Sequence, residues 1–526
     1  MKRKLVSFAL SLLVAMAFSV GVLANEGGTV EILSYEIVVE GFDWGPGVTK
    51  LILALDDSVE SVDLYDFELS FVREPGFIPA GGVPTDPVIQ DANLVSVFLS
   101  DAQGVRVSGA STFVTLELEV HPNTGVNPFT FTLSPMGNDW ANPFDPVITW
   151  QGEEFTPART AKTMPLTDLF DLDGSFTMGG VTLQYATFVP PEAATSDRPL
   201  IIWLHGGGEG SRGLTAGTEV IVLGNRVSQL VAPEIQGLMG GAHVFLPHSP
   251  TMWLMGTDGR GDPPGVGYIS NYEAALVALI DDFIATTPGI DLSRIYIGGC
   301  SNGGYMAMRM LFERPNLYAA AWPVCLLYSE DWITDEKIES IAHVPIWFIH
   351  DINDPTTPHE DSLRLLNLLR AAGSDNVHLT TTDGLYSAEF TDEYGEPHRF
   401  NDHWSWIPAL NNDVHEVIGG SQVSLFEWMA AQRTSGAQAD IAVPTPAIPT
   451  VETTEETEVA EPAEPVEIVE QIEQVEQIET HMPEPLPEPV APVAQPGIVP
   501  TPDSGYFDYR YGNWYRGIPT PWALPR

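Results

Sequence analysis

The chain has 526 residues, enough for two or three domains and a large core. Its 71 acidic side chains against 23 basic ones give a net charge of -48. Such an imbalance repels phosphate backbones and acidic lipid surfaces, which excludes nucleic acid as a partner.

The first element is an amino-terminal Lys2-Arg3-Lys4 followed by an apolar run from Leu5 to about Leu23, with Val22-Leu23-Ala24 as a small-residue cleavage site. Residues 1–24 are therefore expected to be a secretion signal rather than an uncleaved anchor, which makes the protein secreted or cell-surface associated. No other stretch is long and apolar enough to span a bilayer, so no transmembrane segment is expected after signal removal.

From about Gly28 to Trp150, short runs such as "TVEILSYEIVV", "VTKLILAL", "YDFELSFV", "LVSVFLS", "STFVTLELEV" and "FTFTLS" are separated by Gly, Pro, Asn and Asp. Roughly seven short strands with turn signals between them predict an all-β sandwich of immunoglobulin-like type over residues 25–164, without the Cys-Trp-Cys pattern of antibody domains.

Residues 165–434 alternate differently. Apolar runs "LIIWLHG", "HVFLPHS", "IYIGG", "AAAWPVC" and "VPIWFIHD" are separated by stretches of helical periodicity, "NYEAALVALIDDFIATT" and "HEDSLRLLNLLRAAG" among them. Strands alternating with helices predict an α/β domain built on a parallel sheet, with function at the carboxyl ends of the strands. "LHGGGEG", "GGCSNGG" and "HDINDPTTP" all fall at such ends.

In the first cluster, Gly206, Gly207 and Gly208 free the backbone to aim N–H groups at one point, the pattern of an oxyanion site. The cluster lacks the Lys-Ser/Thr ending of a P-loop and the spacing of a dinucleotide loop. In the second, Gly299-Cys300-Ser301-Asn302-Gly303 between an apolar strand and a helix matches a G-x-S-x-G elbow, which presents the serine oxygen at the tip of a sharp turn. An ordinary glycine-rich loop is the alternative. Ser301 is the candidate nucleophile, with the Asn302 N–H as a second oxyanion donor.

The acid should follow the nucleophile and precede the histidine. Asp354 lies farther out on the loop after "VPIWFIHD" than Asp351, which is placed to brace that loop. For the base, His359 and His378 look structural, whereas His398, His403 and His415 lie in the loop region before the last helix. His403 is preferred, and the Trp404 and Trp406 beside it are placed to shape an acyl or alcohol pocket, with Trp253 and Met255 expected nearby.

Cys300 and Cys325 end two apolar runs read as adjacent strands. Strands about 4.8 Å apart allow a disulfide; two buried free thiols are the alternative.

After Thr434 the composition changes to Pro and Glu, with no Lys or Arg between Arg433 and Arg510. Residues 435–503 cannot bury enough apolar surface to fold and are expected to be a disordered spacer. At about 3.1 Å per residue, some sixty residues reach on the order of 100 Å. Residues 504–526 crowd Tyr506, Phe507, Tyr509, Tyr511, Trp514, Tyr515 and Trp522 with Arg510 and Arg516, the residue types of a docking surface for a cell-surface or polymeric partner, or of a segment that folds back.

Together "LHGGGEG", "GCSNGGYM", "AAWPVC", "HDINDPTTP" and "HWSWIPALNN", with "VEGFDWGPGVTKLILALD" and "LSDAQGVRV" earlier in the chain, resemble secreted bacterial esterases that carry an amino-terminal immunoglobulin-like domain, relatives of the polyhydroxyalkanoate depolymerase and feruloyl esterase group. The resemblance covers about residues 28 to 434. It implies an α/β-hydrolase catalytic domain with Ser301, Asp354 and His403 as nucleophile, acid and base, no metal or organic cofactor, and a small-molecule or polymeric ester as substrate. Short-chain acyl or aryl esters are expected. The alternatives are a serine peptidase of prolyl-oligopeptidase type, a polyester depolymerase, or a surface binding protein on a degenerate hydrolase scaffold.

Overall fold

A computed structural model describes residues 30–434, apart from 80–85, 123, 134–135, 211–213, 215, 256–269 and 393, together with a strand pair, Gly505–Asp508 and Asn513–Arg516, in the aromatic segment. The expected signal and the Pro/Glu spacer lie outside the described residues. No described helix is long and apolar enough to cross a membrane.

The amino-terminal domain contains β1 (Ile32–Phe42), β2 (Gly45–Val59), β3 (Phe67–Arg73), β4 (Phe77–Ile78), β5 (Val88–Ala92), β6 (Leu94–Ser100), β7 (Ser111–Leu118), β8 (Phe129–Leu133), β9 (Met136–Trp140), β10 (Phe144–Trp150), β11 (Glu153–Phe155) and β12 (Ala158–Thr163). They form a five-stranded sheet β12-β1-β2-β7-β6, a four-stranded sheet β11-β10-β3-β5, and a small sheet β4-β8-β9. The sandwich follows from period-2 patterning. In β3, Phe67, Leu69 and Phe71 point inward while Glu68 faces out, and β10 alternates the same way. Phe67 lies opposite Trp150 in register, and their rings stack at 5.2 Å. Each such fully buried side chain stabilises the fold by roughly 1.5–3 kcal/mol. The domain has more strands than the roughly seven expected, because β4, β5, β9, β11 and β12 carry too few apolar residues to stand out as runs.

The second domain holds β13 (Asp171–Met178), β14 (Val181–Phe188), β15 (Arg198–Leu204), β16 (His243–His248), β17 (Ile290–Cys300), β18 (Ala320–Val324), β19 (Ile346–Asp351) and β20 (Val377–Thr382), in one sheet of order β13-β14-β16-β15-β17-β18-β19-β20. From β16 onward the neighbours are parallel; β13 and β14 are antiparallel additions at one edge. That edge is half exposed and lacks the apolar runs of the centre, where every residue of β16, β18 and β19 is buried. Helices Glu273–Thr286, Asn302–Glu313 and His359–Ala371 cover the sheet, and the last helix, Leu425–Ala431, starts with a capping box between Ser424 and Glu427.

One apolar core runs from the sandwich into this domain. At the junction Asp43 accepts from Arg226 Nη1 at 2.9 Å and from Asn411 Nδ2 at 3.0 Å. The hairpin of β21 (Tyr386–Thr391) and β22 (Pro397–Arg399) leans back on the sandwich: Phe390 meets Phe42 edge-on, and His121 Nε2 donates to the Thr391 carbonyl at 3.0 Å. A second small hairpin, β23 (His415–Ile418) with β24 (Ser421–Ser424), precedes the last helix.

Candidate active site

At the end of β17 the chain turns into helix Asn302–Glu313 through a single residue, Ser301, with φ +54° and ψ -115°. That conformation is strained for a non-glycine residue, by about 1–3 kcal/mol, and persists only where its surroundings fix it. Here Ser301 N–H donates to the Val324 carbonyl at 2.8 Å and Tyr305 N–H to the Ser301 carbonyl at 3.0 Å. Gly303 is needed because a Cβ there would collide with the Leu204 carbonyl, and one at Gly299 would come within 2.6 Å of the Gly303 carbonyl oxygen. The elbow is thus pressed against the end of β15, where the glycine cluster begins.

The loop after β19 carries both aspartates, and they face different partners. Asp354 Oδ1 accepts from the N–H groups of Thr356 and Thr357 at 2.7 and 2.9 Å, and its Oδ2 accepts from His403 Nδ1 at 2.7 Å. Asp351 Oδ2 accepts from Thr382 Oγ1 at 2.7 Å and Gly384 N–H at 2.8 Å, while the Asp351 N–H donates to Ser405 Oγ at 3.0 Å. Asp351 therefore braces the acid loop against the histidine loop. Burial alone would raise the Asp354 carboxyl, but the His403 and His350 imidazoles hold it well below the usual carboxylate range.

His403 is buried, its N–H bonded to Asn401 Oδ1 at 2.9 Å and its ring edge-on to Trp406. Of the other histidines, His398 meets His121 and Phe400 edge-on, His359 reaches Thr381, His378 reaches Glu416, and His415 bonds its own loop at the Asp413 carbonyl. None of these has a bond to Asp354.

Two contributors escaped sequence reasoning. His350 Nε2 stands 3.2 Å from Asp354 Oδ2, with its Nδ1 at 2.8 Å from Ser362 Oγ. Thr357 Oγ1 lies 2.9 Å from Asp354 Oδ2 and 3.3 Å from His403 Nδ1. Neither residue type signals such a role, and only the folded loop brings them to the carboxylate.

Of the two states allowed for Cys300 and Cys325, a bridge or buried free thiols, the structure has the second. In register Cys300 pairs with Val324, not Cys325. Asn225 Nδ2 donates to Cys300 Sγ at 3.4 Å, whereas Cys325 Sγ lies within 4.8 Å of ligand-type atoms of Asp354 and His403. Burial raises both thiols well above their usual range. Cys325, Asp354 and His403 are of metal-ligating types, but the Asp354 oxygens are already taken by His403, Thr356 and Thr357.

Gly206, Gly207 and Gly208 follow β15, and Gly207–Gly210 closes one helical turn rather than an open loop. The turn is held by neutral histidines. Burial pushes His205 down to about 3 and His248 down to about 4. His205 Nδ1–H accordingly donates to the Gly206 carbonyl at 2.6 Å, its Nε2 accepts from Ser249 N–H at 3.2 Å, and His248 Nε2–H donates to the Glu209 carbonyl at 3.0 Å. A Cβ on Gly206 would stand 3.4 Å from Cys300 Sγ, which puts the glycine cluster beside the elbow. Asn302 opens the elbow helix, where N–H groups lack intrahelical partners, and its Oδ1 accepts from Leu254 N–H at 3.3 Å.

Glu209, in the middle of the glycines, was missed as well. It is 6% exposed, its Oε2 has no hydrogen-bond partner among the described residues, and burial pushes its carboxyl up to about 7. Of the large side chains expected around a pocket, Trp253 is fully buried against His205 and is core; Trp406 is buried against His403; Trp404 and Met255 are half-buried.

A strained serine at a strand-to-helix elbow, a buried Asp–His pair and a glycine cluster thus meet at the carboxyl ends of β15, β17 and β19. Residues 34–158 match the family model of the esterase Ig-like N-terminal domain. Residues 274–348, which contain the elbow, match the prolyl oligopeptidase family. The chain thus joins an immunoglobulin-like domain of the esterase type to an α/β-hydrolase fold that carries the elements of a serine hydrolase site. No curated protein matches the hydrolase. Among solved structures it is similar to a thermostable esterase, at 23% identity and a TM-score of 0.57 over 76% of this chain and 99% of that one, a likeness of fold. Weaker likenesses are to Est1E from Butyrivibrio proteoclasticus (15% identity, TM-score 0.28, 40% of this chain and 89% of that one) and to an acylaminoacyl peptidase from Pyrococcus horikoshii (14% identity, TM-score 0.33, 65% and 55%).

Proposed function

We propose that the protein is a serine carboxylesterase that hydrolyses short-chain acyl or aryl esters through an acyl-enzyme. The observation that carries this reading is the 2.7 Å contact of His403 Nδ1 with Asp354 Oδ2 beside the strained Ser301 elbow. Asp354 fixes the tautomer in which Nδ1 bears the proton, which leaves Nε2 as the basic nitrogen. His403 takes the Ser301 proton as Oγ attacks the ester carbonyl and returns it to the departing alcohol. It then activates a water that releases the acid. N–H groups of Asn302 and of Gly206 to Gly208 stabilise the oxyanion; one such donor contributes about 3–4 kcal/mol in the transition state.

A peptidase reading draws on the match of residues 274–348 to the prolyl oligopeptidase family. The amino-terminal domain favours the ester, because residues 34–158 match a domain described for esterases and form a sandwich rather than propeller blades. Parallel assays of p-nitrophenyl esters and aminoacyl or peptidyl anilides, each with a Ser301→Ala control, decide between them. Ester turnover that vanishes in the variant supports the proposal, and anilide turnover without ester turnover overturns it. Export by the amino-terminal segment, and docking of residues 504–526 to a cell-surface or polymeric partner across the spacer, belong to the same proposal and rest on sequence composition.

A further inference from the structure

The amino-terminal sandwich reaches the glycine cluster through one hairpin, β8–β9. Its register sets Phe131 opposite Asn138 and Leu133 opposite Met136, so Phe131, Asn138 and Met136 share one face. That face lies on Gly207 and Gly208. A Cβ on Gly207 would stand 2.9 Å from Met136 Cε and 3.3 Å from Met252 Sδ, and one on Gly208 would stand 3.5 Å from the Phe131 ring and 3.8 Å from Asn138 Nδ2. Met252 belongs to the segment whose Leu254 N–H bonds the Asn302 side chain. The glycine cluster is thus enclosed between the sandwich hairpin, the Met252 segment and the elbow.

Phe131, Met136, Asn138 and Met252 are all half-buried, so each keeps part of its surface uncovered beside the glycines. The hairpin is also held in place. Arg73, buried in the sandwich, donates to the carbonyls of Asn127 and Phe129 at 2.5 and 2.8 Å, and Phe129 packs edge-on against Trp140 at 4.9 Å. Over the Trp140 ring sits Lys162 Nζ, 3.8 Å from its centroid. A rigid base carrying a flexible methionine suits a wall that adjusts to apolar groups of different length.

We propose that the β8–β9 hairpin of the immunoglobulin-like domain is a wall of the substrate cleft, and that Met136 limits the size of the apolar group an ester presents beside Gly207. The inference rests on the esterase reading and adds to it a specificity residue from outside the hydrolase domain. Met136 touches the glycine cluster and takes no part in proton transfer.

The test compares kcat/KM for p-nitrophenyl acetate, butyrate, hexanoate and octanoate in the full chain and in Met136→Ala, Met136→Leu and Met136→Trp, with Ile89→Ala on exposed β5 as a control. Thermal melting and the rate of Ser301 phosphonylation by a small p-nitrophenyl methylphosphonate, read as p-nitrophenol released, report fold and nucleophile separately. Met136→Ala should favour longer acyl groups by roughly 10-fold relative to acetate, Met136→Trp should disfavour them by as much, and Met136→Leu should restore the parent profile. Ile89→Ala should leave the profile unchanged. A parent chain that cleaves esters while all Met136 variants share its profile overturns the wall alone. A parent chain that cleaves no ester overturns the function, and with it a wall defined by acyl groups.

Discussion

Asp354 Oδ2 accepts a hydrogen bond from His403 Nδ1 at 2.7 Å, whereas Asp351, on the same loop, turns its Oδ2 to Thr382 and Gly384. Two carboxylates of one loop thus take different tasks. Asp354→Asn should lower ester kcat by about 10⁴-fold, since the amide favours the wrong imidazole tautomer, and should also lower the melting temperature, because the carboxylate bonds to Thr357 and His403 weaken. Asp351→Asn should cost about 1–3 kcal/mol of stability through the loop bonds it weakens. Steady-state kinetics and denaturant melts of the two variants check this, and comparable kcat losses in both would contradict the division.

Glu209 gives stability a pH dependence of defined sign. Its folded carboxyl is raised to about 7 from an ordinary 4.5, so the buried group keeps its proton. The contribution is fully present below about pH 4.5 and is lost as pH rises through about 7, a change of about 3 kcal/mol. Glu209→Gln should remove that loss, and the variant should gain on the parent between pH 5 and pH 8, on the order of the same energy. Denaturant unfolding of both proteins across that range measures it.

The two thiols should behave as core groups. Both cysteines are 0% exposed, so the native chain should react with a disulfide reagent only on the timescale of unfolding, and the denatured, unreduced chain should release two thiols per chain. A denatured chain with none would restore the bridge between Cys300 and Cys325.

Removal of every residue after Thr434 should leave turnover of a small soluble ester unchanged, because the candidate site is complete within residues 30–434. Loss of retention on cells or on an insoluble polyester with melting unchanged would mark the tail as a tether. Lowered melting would mark it as a segment that folds back.

The central sheet was legible because its strands are buried on both faces and read as continuous apolar runs, as in "LIIWL" and "VPIWFI". The antiparallel edge β13–β14 was not, since alternating exposure leaves it without such a run. The glycine elbow announced Ser301, and the outer place of Asp354 on its loop separated it from Asp351. What the chain could not reveal were partners that only tertiary packing brings close, namely His350 and Thr357 at Asp354, Glu209 behind the elbow, and Met136 from the other domain. Trp253 misled because an aromatic residue on a polar loop looks like a pocket wall, whereas His205 draws it into the core. The state of the two cysteines stayed open for a related reason: strand adjacency does not give register, which sets Val324, not Cys325, beside Cys300.

The most direct measurement of the central claim is peptide mapping by mass spectrometry after treatment with a p-nitrophenyl phosphonate that mimics the tetrahedral intermediate of ester hydrolysis. One equivalent of p-nitrophenol should be released per chain, one adduct should form on Ser301, and ester turnover should fall in proportion. Ser301→Ala should form no adduct, and His403→Ala should form it far more slowly. An adduct on another side chain, or full ester turnover by a chain stoichiometrically modified at Ser301, would contradict the account.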